Sequence, residues 1–280
     1  MQKKAKIGFL GGGNLTRSLL AGLVLDGMDP DLFLVADRNP EKLAELRRQF
    51  GIQGLDSVHE VVDQADILIL AVKPLNFKDL CLDIRKAVSL KNPLIISVAT
   101  GIRLNDMLQW LGGKPAIVRA MPNTPAMLQA AATALFANEF VSRSSKEMAE
   151  KIMRSVGITA WLEREEDIES IIAIAGSAPA YYFRIMELMQ EIAQGMGLPP
   201  QLSKLFITQT FFGSGKMALE SSADLAELRA QVTSKGGTTQ AALKAFEEHG
   251  LKALLEKALY AARDRGLELA EEYGVNRKLS

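Results

Sequence analysis

A hydroxyl-rich turn near the C-terminal end carries the most suggestive chemistry in this chain. The run Val232-Thr233-Ser234-Lys235-Gly236-Gly237-Thr238-Thr239 separates two amphipathic stretches, the second of which resumes at Ala241. The turn therefore ends where a helix begins, and free backbone N–H groups meet the positive end of the helix dipole there. Two glycines let the backbone approach a ligand closely, and such a terminus binds a carboxylate or a phosphate. An N-capped helix that binds nothing is the alternative interpretation.

A glycine cluster, Gly11-Gly12-Gly13-Asn14-Leu15-Thr16, lies between a predicted strand and a predicted helix. In this context a glycine-rich turn typically binds a dinucleotide. Gly11 would form the tight turn, and Gly13 would admit the pyrophosphate to the helix N-terminus, while Thr16 departs from the usual third Gly or Ala. The alternative is a strand–helix turn that binds nothing. The candidate cofactor contacts here are Gly11, Gly13, Asn14 and Leu15.

The second predicted strand ends in Ala36-Asp37-Arg38-Asn39-Pro40, where the adenosine ribose of a dinucleotide should lie. Asp37 could bind the 2′-hydroxyl of NAD, whereas Arg38 could pair with the 2′-phosphate of NADP. We favour NADPH, with NADH as the weaker alternative, because Arg38 and Asn39 can both serve a phosphate at the next helix N-terminus. Asp37 would then turn aside or brace Arg38. A simple helix cap by Asn39 before Pro40 is the other interpretation.

Three further loops follow predicted strands, and ligands bind at the carboxyl ends of the strands of a doubly wound sheet. Their sequences are Ala71-Val72-Lys73-Pro74, Ser97-Val98-Ala99-Thr100-Gly101 and Arg119-Ala120-Met121-Pro122-Asn123-Thr124-Pro125. Small residues at 99–101 would let a flat nicotinamide ring lie against the backbone, and two prolines would hold the third loop rigid. Each could also be merely a strand-ending loop. The candidate cofactor contacts are Ala71, Val72, Lys73, Pro74, Val98, Ala99, Thr100 and Asn123.

The two halves of the chain, which must position these loops, differ in their predicted secondary structure. Through about residue 163, short apolar runs alternate with helical stretches, which is the doubly wound α/β pattern, and from about residue 165 the pattern is helical. We therefore predict an α/β Rossmann-type dinucleotide-binding domain at 1–163 and an all-α dimerisation and substrate-binding domain at 164–280. The predicted strands are 6–10, 32–36, 67–71, 94–99, 116–119, 134–137 and 159–162. The predicted helices are 15–26, 40–50, 58–64, 76–88, 104–111, 167–175, 179–196, 200–220, 224–232, 239–248 and 252–273.

Composition excludes several classes of protein. Lysine plus arginine and aspartate plus glutamate number 33 each, so the formal net charge is zero, and we expect no nucleic-acid or membrane partner. The single Cys81 suits a reducing compartment and is interpreted as a buried, inert thiol. No apolar run approaches the roughly 18–20 residues of a membrane span. We expect a cytoplasmic protein with no metal site.

Several segments resemble pyrroline-5-carboxylate reductase, the last enzyme of proline synthesis. They are the strand-ending loops, the turn at 232–239 and the motif Gly176-Ser177-Ala178-Pro179-Ala180-Tyr181. The resemblance covers nearly the whole chain and is most specific at 119–125, 176–181 and 228–247. It implies NADPH-dependent reduction of L-1-pyrroline-5-carboxylate to L-proline, by hydride transfer to a cyclic imine.

The resemblance also implies roles for the C-terminal turn. It places the Thr239 hydroxyl, the candidate catalytic group, on the ring nitrogen, whereas Val232 would pack against the ring and the other matched residues would surround the carboxylate. No strong general acid is needed if the imine arrives protonated or is protonated through a hydroxyl, because positioning then carries much of the rate. His59 and His249 are accordingly interpreted as surface or capping residues. The candidate substrate contacts are Val232, Ser234, Gly237, Thr238 and Thr239.

Three residues depart from the family pattern. Lys235 replaces the usual Pro of the C-terminal signature, and Asp224 replaces a usual Pro upstream. Val58 stands where an Asn commonly contacts the adenosine side of the cofactor. Lys235 either loosens the turn or adds a cation that attracts a carboxylate.

Within the predicted helix at 179–196, the segment 181–196 is apolar on nearly every face, and the next predicted helix carries further phenylalanines. A helix of this kind needs cover on all sides. We therefore expect an obligate homodimer made through the helical domains. The resemblance implies that the substrate turn meets the partner's cofactor domain, and that dimers can build a larger ring.

Other functions are weighed against this one. The β-hydroxyacid dehydrogenases also join a Rossmann domain to helices, but they use a catalytic Lys, and the only suggestive phrase is Gly213-Ser214-Gly215-Lys216, deep in a predicted helix. A non-catalytic NADP-binding sensor would keep the glycine cluster at 11–14 without needing the turn at 234–239. Another NADP-dependent imine reductase is the third alternative. Its substrate preference would distinguish it from a pyrroline-5-carboxylate reductase.

Overall fold

The structure is a computed structural model that describes residues 4–274. The chain divides into two compact units, of which the first comprises Met1–Ser177 and Ala262–Ser280 and the second Ala178–Ala261. The predicted domain boundary between residues 163 and 164 stays a prediction. Residues 1–3 and 275–280 of the predicted domains lie outside the described residues.

An eight-stranded sheet lies at the centre of the first unit. Its strands are β1 (Ile7–Leu10), β2 (Phe33–Ala36), β3 (Gln53–Leu55), β4 (Ile67–Leu70), β5 (Leu94–Ser97), β6 (Ile117–Met121), β7 (Ala131–Ala137) and β8 (Gly157–Trp161). The order is β3-β2-β1-β4-β5-β6-β7-β8, and neighbours are parallel except for the antiparallel pair β6 and β7. The order reverses at β1, so the carboxyl ends of β1 and β4 border a crevice where ligands bind in sheets of this type.

The central strands are short apolar runs because both faces of the sheet are covered. All four residues of β1, β2, β4 and β5 are buried. Alternate residues enter different cores: Phe9 and Val35 pack into one cluster, whereas Leu10 and Leu34 pack into the other. This is the expected consequence of a parallel sheet between two helical layers.

Seven helices accompany the sheet within the first unit. They are α1 (Asn14–Leu25), α2 (Pro40–Phe50), α3 (Val58–Gln64), α4 (Phe77–Lys91), α5 (Leu104–Leu111), α6 (Arg143–Arg154) and α7 (Asp167–Ile171), which continues into a π-helical turn at Ile172–Gly176. Helix α2 shows how helix boundaries can be predicted from the sequence. Asn39 accepts the N–H groups of Glu41 and Lys42 at its start, and Gly51 takes a left-handed conformation with a φ of +69° at its end.

The sequence analysis missed β3 and α6. β3 is a three-residue edge strand, Gln-Gly-Leu, in which no residue is fully buried, so it has no apolar run to detect. α6 has only three buried residues, Ala149, Ile152 and Met153, and its apolar stripe is correspondingly narrow. Its start did carry a usable signal, because the Ser142 hydroxyl caps the helix by accepting the N–H of Ser145.

The second unit is helical throughout. Its helices are α8 (Ala178–Gly195), α9 (Pro200–Glu220), α10 (Leu225–Gln231), α11 (Thr238–Glu248) and the first part of α12 (Leu251–Tyr273), whose residues from Ala262 onward belong to the first unit. The predicted fold class, a Rossmann-type α/β region followed by helices, is confirmed. Between residues 4 and 274 no helix combines the length and the apolar character that crossing a membrane requires.

The single cysteine offers a simple test of the packing of the first unit. Cys81 is buried in α4, and burial raises the pKa of its thiol to about 12. Since the thiolate is the reactive form, we expect no alkylation of the native protein by iodoacetamide at about pH 8, and complete alkylation in denaturant. Mass spectrometry measures both. Fast labelling of the folded protein would contradict this packing of α4.

Candidate active site

The glycine turn of the first unit lies between the end of β1 and the start of α1. Gly11 has a φ of +110°, and a Cβ on it would lie 2.6 Å from the carbonyl oxygen of Ala71, so glycine is required there. Gly13 caps α1 without a side-chain hydrogen bond, and a Cβ on it would meet nothing within 4 Å. The N-terminal N–H groups of α1 therefore border open space in which a phosphate can bind.

Thr16, which departs from the usual small third residue, is buried in α1. Its Oγ1 donates to the carbonyl oxygen of Gly11 at 2.6 Å. The hydroxyl is thereby satisfied inside the turn. Thr16 therefore closes the glycine turn with a hydrogen bond, which a third glycine could not do.

Two adjoining cavities run along the carboxyl ends of the strands. One, of about 610 Å³, extends from Gly11 and Gly13 to the end of β2 and to α4. The other, of about 230 Å³, is lined by the start of α1 and by the loops after β4 and β5. They share Gly13, Ala71 and Val72. The predicted cofactor contacts that line one or both are Gly11, Gly13, Asn14, Leu15, Arg38, Ala71, Val72, Lys73, Pro74, Val98, Ala99 and Thr100.

The end of β2 carries the residues on which the two cofactor interpretations depend. Asp37 uses both carboxylate oxygens inside the chain: Oδ2 accepts the N–H of Gly12 at 2.7 Å, and Oδ1 accepts the N–H of Asn39 at 2.8 Å. Arg38 and Lys42 both line the larger cavity. Asp37 thus braces the glycine turn and also lines this cavity, as do Arg38, Lys42 and Lys73. Sequence reasoning missed Lys42, although its place four residues after Arg38 was visible.

Two predicted cofactor contacts line neither cavity. The Oδ1 atom of Asn39 accepts two N–H groups of the first turn of α2, at 2.9 and 3.2 Å. Asn123 donates from Nδ2 to the carbonyl oxygen of Ala175 at 3.1 Å and accepts the N–H of Ala132 at Oδ1 at 3.0 Å. In this structure Asn39 caps a helix, and Asn123 ties the loop after β6 to β7 and to the π-helical turn.

A buried arginine near the smaller cavity was not assigned a role by the sequence. Arg119 of β6 is 3% exposed; its Nη1 lies 2.6 Å from Glu165 Oε1, and its Nη2 lies 3.8 Å from Glu169 Oε1. Glu165 Oε1 also accepts the N–H of Leu104, the first residue of α5, at 2.8 Å. Burial raises the pKa of Glu169, and the Arg119 guanidinium opposes that shift. The cluster joins β6, α5 and the segment before α7, immediately beside the loop after β5.

The turn at 232–239 lies wholly in the second unit, between α10 and α11. Gly237 caps α11 in an extended conformation with no side-chain hydrogen bond. A Cβ on Gly237 would lie 2.3 Å from the Oγ of Ser234, so the serine hydroxyl lies against the start of the helix. Val232 is 59% exposed at the end of α10, and Thr239 lies in the first turn of α11. Ser234, Gly237, Thr238 and Thr239 therefore lie at or just before the N-terminus of α11, which has no side-chain cap, and Val232 lies at the end of α10.

The two histidines are engaged elsewhere. His59 Nε2 lies 3.2 Å from Asp83 Oδ1, and His249 Nδ1 lies 2.8 Å from the carbonyl oxygen of Ala245 at the end of α11. Over the described range 4–274, no three or more His, Cys, Asp or Glu side chains are arranged to hold a metal ion. The turn before α11 offers backbone N–H groups and hydroxyls, and the larger cavity of the first unit offers the cations of Arg38 and Lys42.

Comparisons with known proteins agree with this arrangement. Residues 165–269 match the family described as pyrroline-5-carboxylate reductase dimerisation, and residues 6–101 match the family described as NADP oxidoreductase, coenzyme F420-dependent. The pyrroline-5-carboxylate reductase of Pseudomonas aeruginosa is 39% identical over 269 residues, which cover 96% of this chain and 98% of the relative. That of Escherichia coli K12 is 34% identical over 267 residues, or 95% and 98% of the two chains.

Solved structures give the same result. A pyrroline-5-carboxylate reductase from Coxiella burnetii has a TM-score of 0.92 and 41% identity, with coverage of 96% of this chain and 99% of its own. The enzyme of Plasmodium falciparum, solved with NADP bound, has a TM-score of 0.84 and 25% identity, with coverage of 96% and 100%. By sequence identity over nearly its full length, and by fold, this chain belongs to the pyrroline-5-carboxylate reductase family.

Proposed function

We propose that this protein reduces L-1-pyrroline-5-carboxylate to L-proline with NADPH. The observation that carries the proposal is a pair of helix N-termini, each capped by a glycine that offers no side-chain hydrogen bond: Gly13 before α1 and Gly237 before α11. Each leaves backbone N–H groups for an anion. The first suits a pyrophosphate and the second a small carboxylate, and family membership joins the two in one reaction.

The residues of the first unit fit a bound NADPH. The backbone at Gly11 and Gly13 leaves room for a pyrophosphate, and the small residues Ala99 and Thr100 border the cavity where a nicotinamide ring would lie. Arg38 and Lys42 would hold the 2′-phosphate, since both line the cavity and Asp37 is committed to backbone N–H groups. When bound, this cofactor supplies the hydride. The Plasmodium relative, which was solved with NADP bound, supports the assignment.

The second unit would bind the substrate. The carboxylate would accept backbone N–H groups at the start of α11 and the hydroxyl of Ser234, while Val232 packs against the ring. The hydroxyl oxygen of Thr239 would accept the N–H of the protonated ring nitrogen. Both histidines are already paired with other groups of the chain. This fits a reaction in which the imine arrives protonated, because the rate then depends on the orientation of the reactants and not on a strong general acid.

A test of the carboxylate assignment compares pyrroline-5-carboxylate with the uncarboxylated ring, 1-pyrroline, under saturating NADPH. We expect the carboxylated imine to have a kcat/KM higher by about 10- to 150-fold, the range for one hydrogen-bonded charge. Equal turnover of the two imines would leave imine reduction standing and remove the role given to Ser234, Gly237 and Thr238.

No specific observation favours the β-hydroxyacid dehydrogenase alternative. Its only candidate lysine, Lys216, lies on α9 with its Nζ 3.7 Å from Glu220 Oε1, in an exposed pair four residues apart. A catalytic lysine requires a desolvated site or a neighbouring cation that lowers its pKa. Lys216 has the surroundings of an ordinary surface ion pair.

The proposed enzyme works as an obligate homodimer formed through the second unit. Among residues 178–261, all of which the structure describes, only Ala178 and Ser203 are buried. Phe183, Phe206 and Phe212 are 66%, 64% and 65% exposed. A single copy therefore leaves this unit without a core, and the match of residues 165–269 to a dimerisation family supports a second copy as the cover. The same proposal includes rings of dimers. It also includes a cytoplasmic location, which suits a chain with one free thiol.

Light scattering with a matched pair of variants tests the assembly. Phe206→Glu on α9 should shift the particle toward monomer or unfolded chain and remove activity, because it places a charge in an apolar interface. Leu90→Glu changes a side chain that is 80% exposed on α4 of the first unit and should leave mass and activity unaltered. A stable, active monomer of the unaltered protein at micromolar concentration would contradict the proposal.

A further inference from the structure

The substrate turn contains a β-turn over Ser234–Gly237. The N–H of Gly237 donates to the carbonyl oxygen of Ser234 at 3.1 Å. Gly236 has a φ of +74°, whereas Lys235 does not have a positive φ. A positive φ at the second central residue alone defines a type II turn. Proline is favoured at the first central residue of such a turn because its ring presets φ, and Lys235 lacks that constraint.

The side chain of Gln240 reaches back to this turn from the first turn of α11. Its Oε1 accepts the N–H of Gly236 at 2.6 Å. That N–H belongs to the peptide between Lys235 and Gly236, whose orientation is what distinguishes type II from type I turns. The hydrogen bond therefore holds the peptide in the type II orientation from outside the turn.

We propose that Gln240 is a positioning residue for the substrate carboxylate, which replaces the rigidity that a proline at residue 235 would provide. The turn sets where Ser234 lies, and the Ser234 hydroxyl lies so close to Gly237 that a Cβ there would be 2.3 Å from it. If the peptide rotates, the hydroxyl no longer lies beside the N–H groups at the start of α11. The inference rests on the proposed function, because the carboxylate site is part of it.

Gln240 needs to touch no substrate atom for this role. Its carbonyl is already occupied by Gly236, and a neutral amide adds no negative charge at a helix N-terminus that must accept an anion. Loss of the hydrogen bond should therefore weaken carboxylate binding and spare hydride transfer, since the Thr239 hydroxyl lies on the helix itself and not in the turn. The expected signature is a change in KM for the imine with little change in kcat.

The test uses Gln240→Met, which keeps the length and removes the acceptor, and the double variant Lys235→Pro with Gln240→Met. For Gln240→Met we expect the KM for pyrroline-5-carboxylate to rise about three- to ten-fold, which corresponds to one net hydrogen bond, with kcat and the KM for NADPH within about twofold. Adding Lys235→Pro should return the KM to within about twofold of the unaltered enzyme, because the ring restores the lost constraint. Gln201→Met, an exposed glutamine in the first turn of α9, is the control and should change neither constant.

Hydrogen exchange supplies a readout that needs no turnover. Deuterium uptake of peptides spanning residues 232–239 should be faster in Gln240→Met than in the unaltered protein and in Gln201→Met. If the unaltered protein fails to reduce pyrroline-5-carboxylate, the proposed function fails, and the exchange data still decide whether Gln240 holds the turn. Unchanged exchange in Gln240→Met overturns the inference. So does a double variant as impaired as Gln240→Met, or a loss shared equally by kcat and both KM values.

Discussion

Replacing Arg38 with alanine is expected to raise the apparent KM for NADPH by about 10- to 150-fold and to leave that for NADH nearly unchanged, since a hydrogen bond to a charged group contributes roughly 1.5–3 kcal/mol. Arg38 lines the larger cavity beside Lys42, and the carboxylate of Asp37 is held by two backbone N–H groups. Only the 2′-phosphate, which NADH lacks, would lose a partner. Initial rates at varied concentrations of each cofactor give both constants.

Two controls sharpen this result. Lys42→Ala should show the same selectivity with a smaller effect, because lysine is a point charge without the bidentate geometry of arginine. Arg48→Ala, an exposed residue in the last turn of α2, should leave both cofactors unaffected. If the unaltered protein uses NADPH and NADH equally, or if Arg38→Ala weakens both alike, Asp37 governs the pocket after all.

Thr239→Val should lower kcat by about 10- to 100-fold, more than it raises the KM for the imine. Valine keeps the shape of threonine and removes only the hydroxyl. If that hydroxyl forms a hydrogen bond with the ring nitrogen, the bond changes as the protonated imine becomes an amine, so its loss affects the transition state more than the bound substrate. Residual activity is expected because hydride delivery depends mainly on orientation. Steady-state kinetics with saturating NADPH measure both constants.

Ser234→Ala is the matched contrast, because it removes a hydroxyl from the turn that immediately precedes the helix of Thr239. We expect it to act mainly on the KM for the carboxylated imine and to leave kcat largely unaltered, since the carboxylate does not change charge during the reaction. The same split between kcat and KM in both variants would mean that Thr239 and Ser234 have one shared role. An unaltered kcat in Thr239→Val would remove Thr239 from the catalytic position.

Much of the first unit could be predicted because its signals are local. Continuous apolar runs predict covered parallel strands, and the Asn39 cap with Gly51 marks both ends of α2. The glycine cluster also predicts an open helix N-terminus, since glycine provides no side chain to fill it. Strand β3 was missed because an edge strand of three residues needs no apolar run.

The missing parts of the candidate site depend on contacts between distant residues. Arg119 and Glu165 lie 46 positions apart, and no local pattern pairs them. The two oxygens of Asp37 could equally have faced a ribose, and the hydrogen bond from Gly12, 25 positions away, is what engages one of them. Gln240 is only four positions from its partner, Gly236, but a glutamine in a helix is ordinary in sequence. Only the conformation of the turn shows that its side-chain carbonyl accepts the N–H of Gly236.

The most direct measurement for the central claim follows NADPH oxidation with pyrroline-5-carboxylate as the substrate and identifies the product. A parallel assay uses the semialdehyde that corresponds to 3-hydroxyisobutyrate as the substrate. The account predicts turnover of the cyclic imine, with one L-proline formed for each NADPH consumed, and little or no turnover of the semialdehyde. Preference for the semialdehyde, or absence of NADPH oxidation with pyrroline-5-carboxylate in a correctly assembled protein, would contradict it.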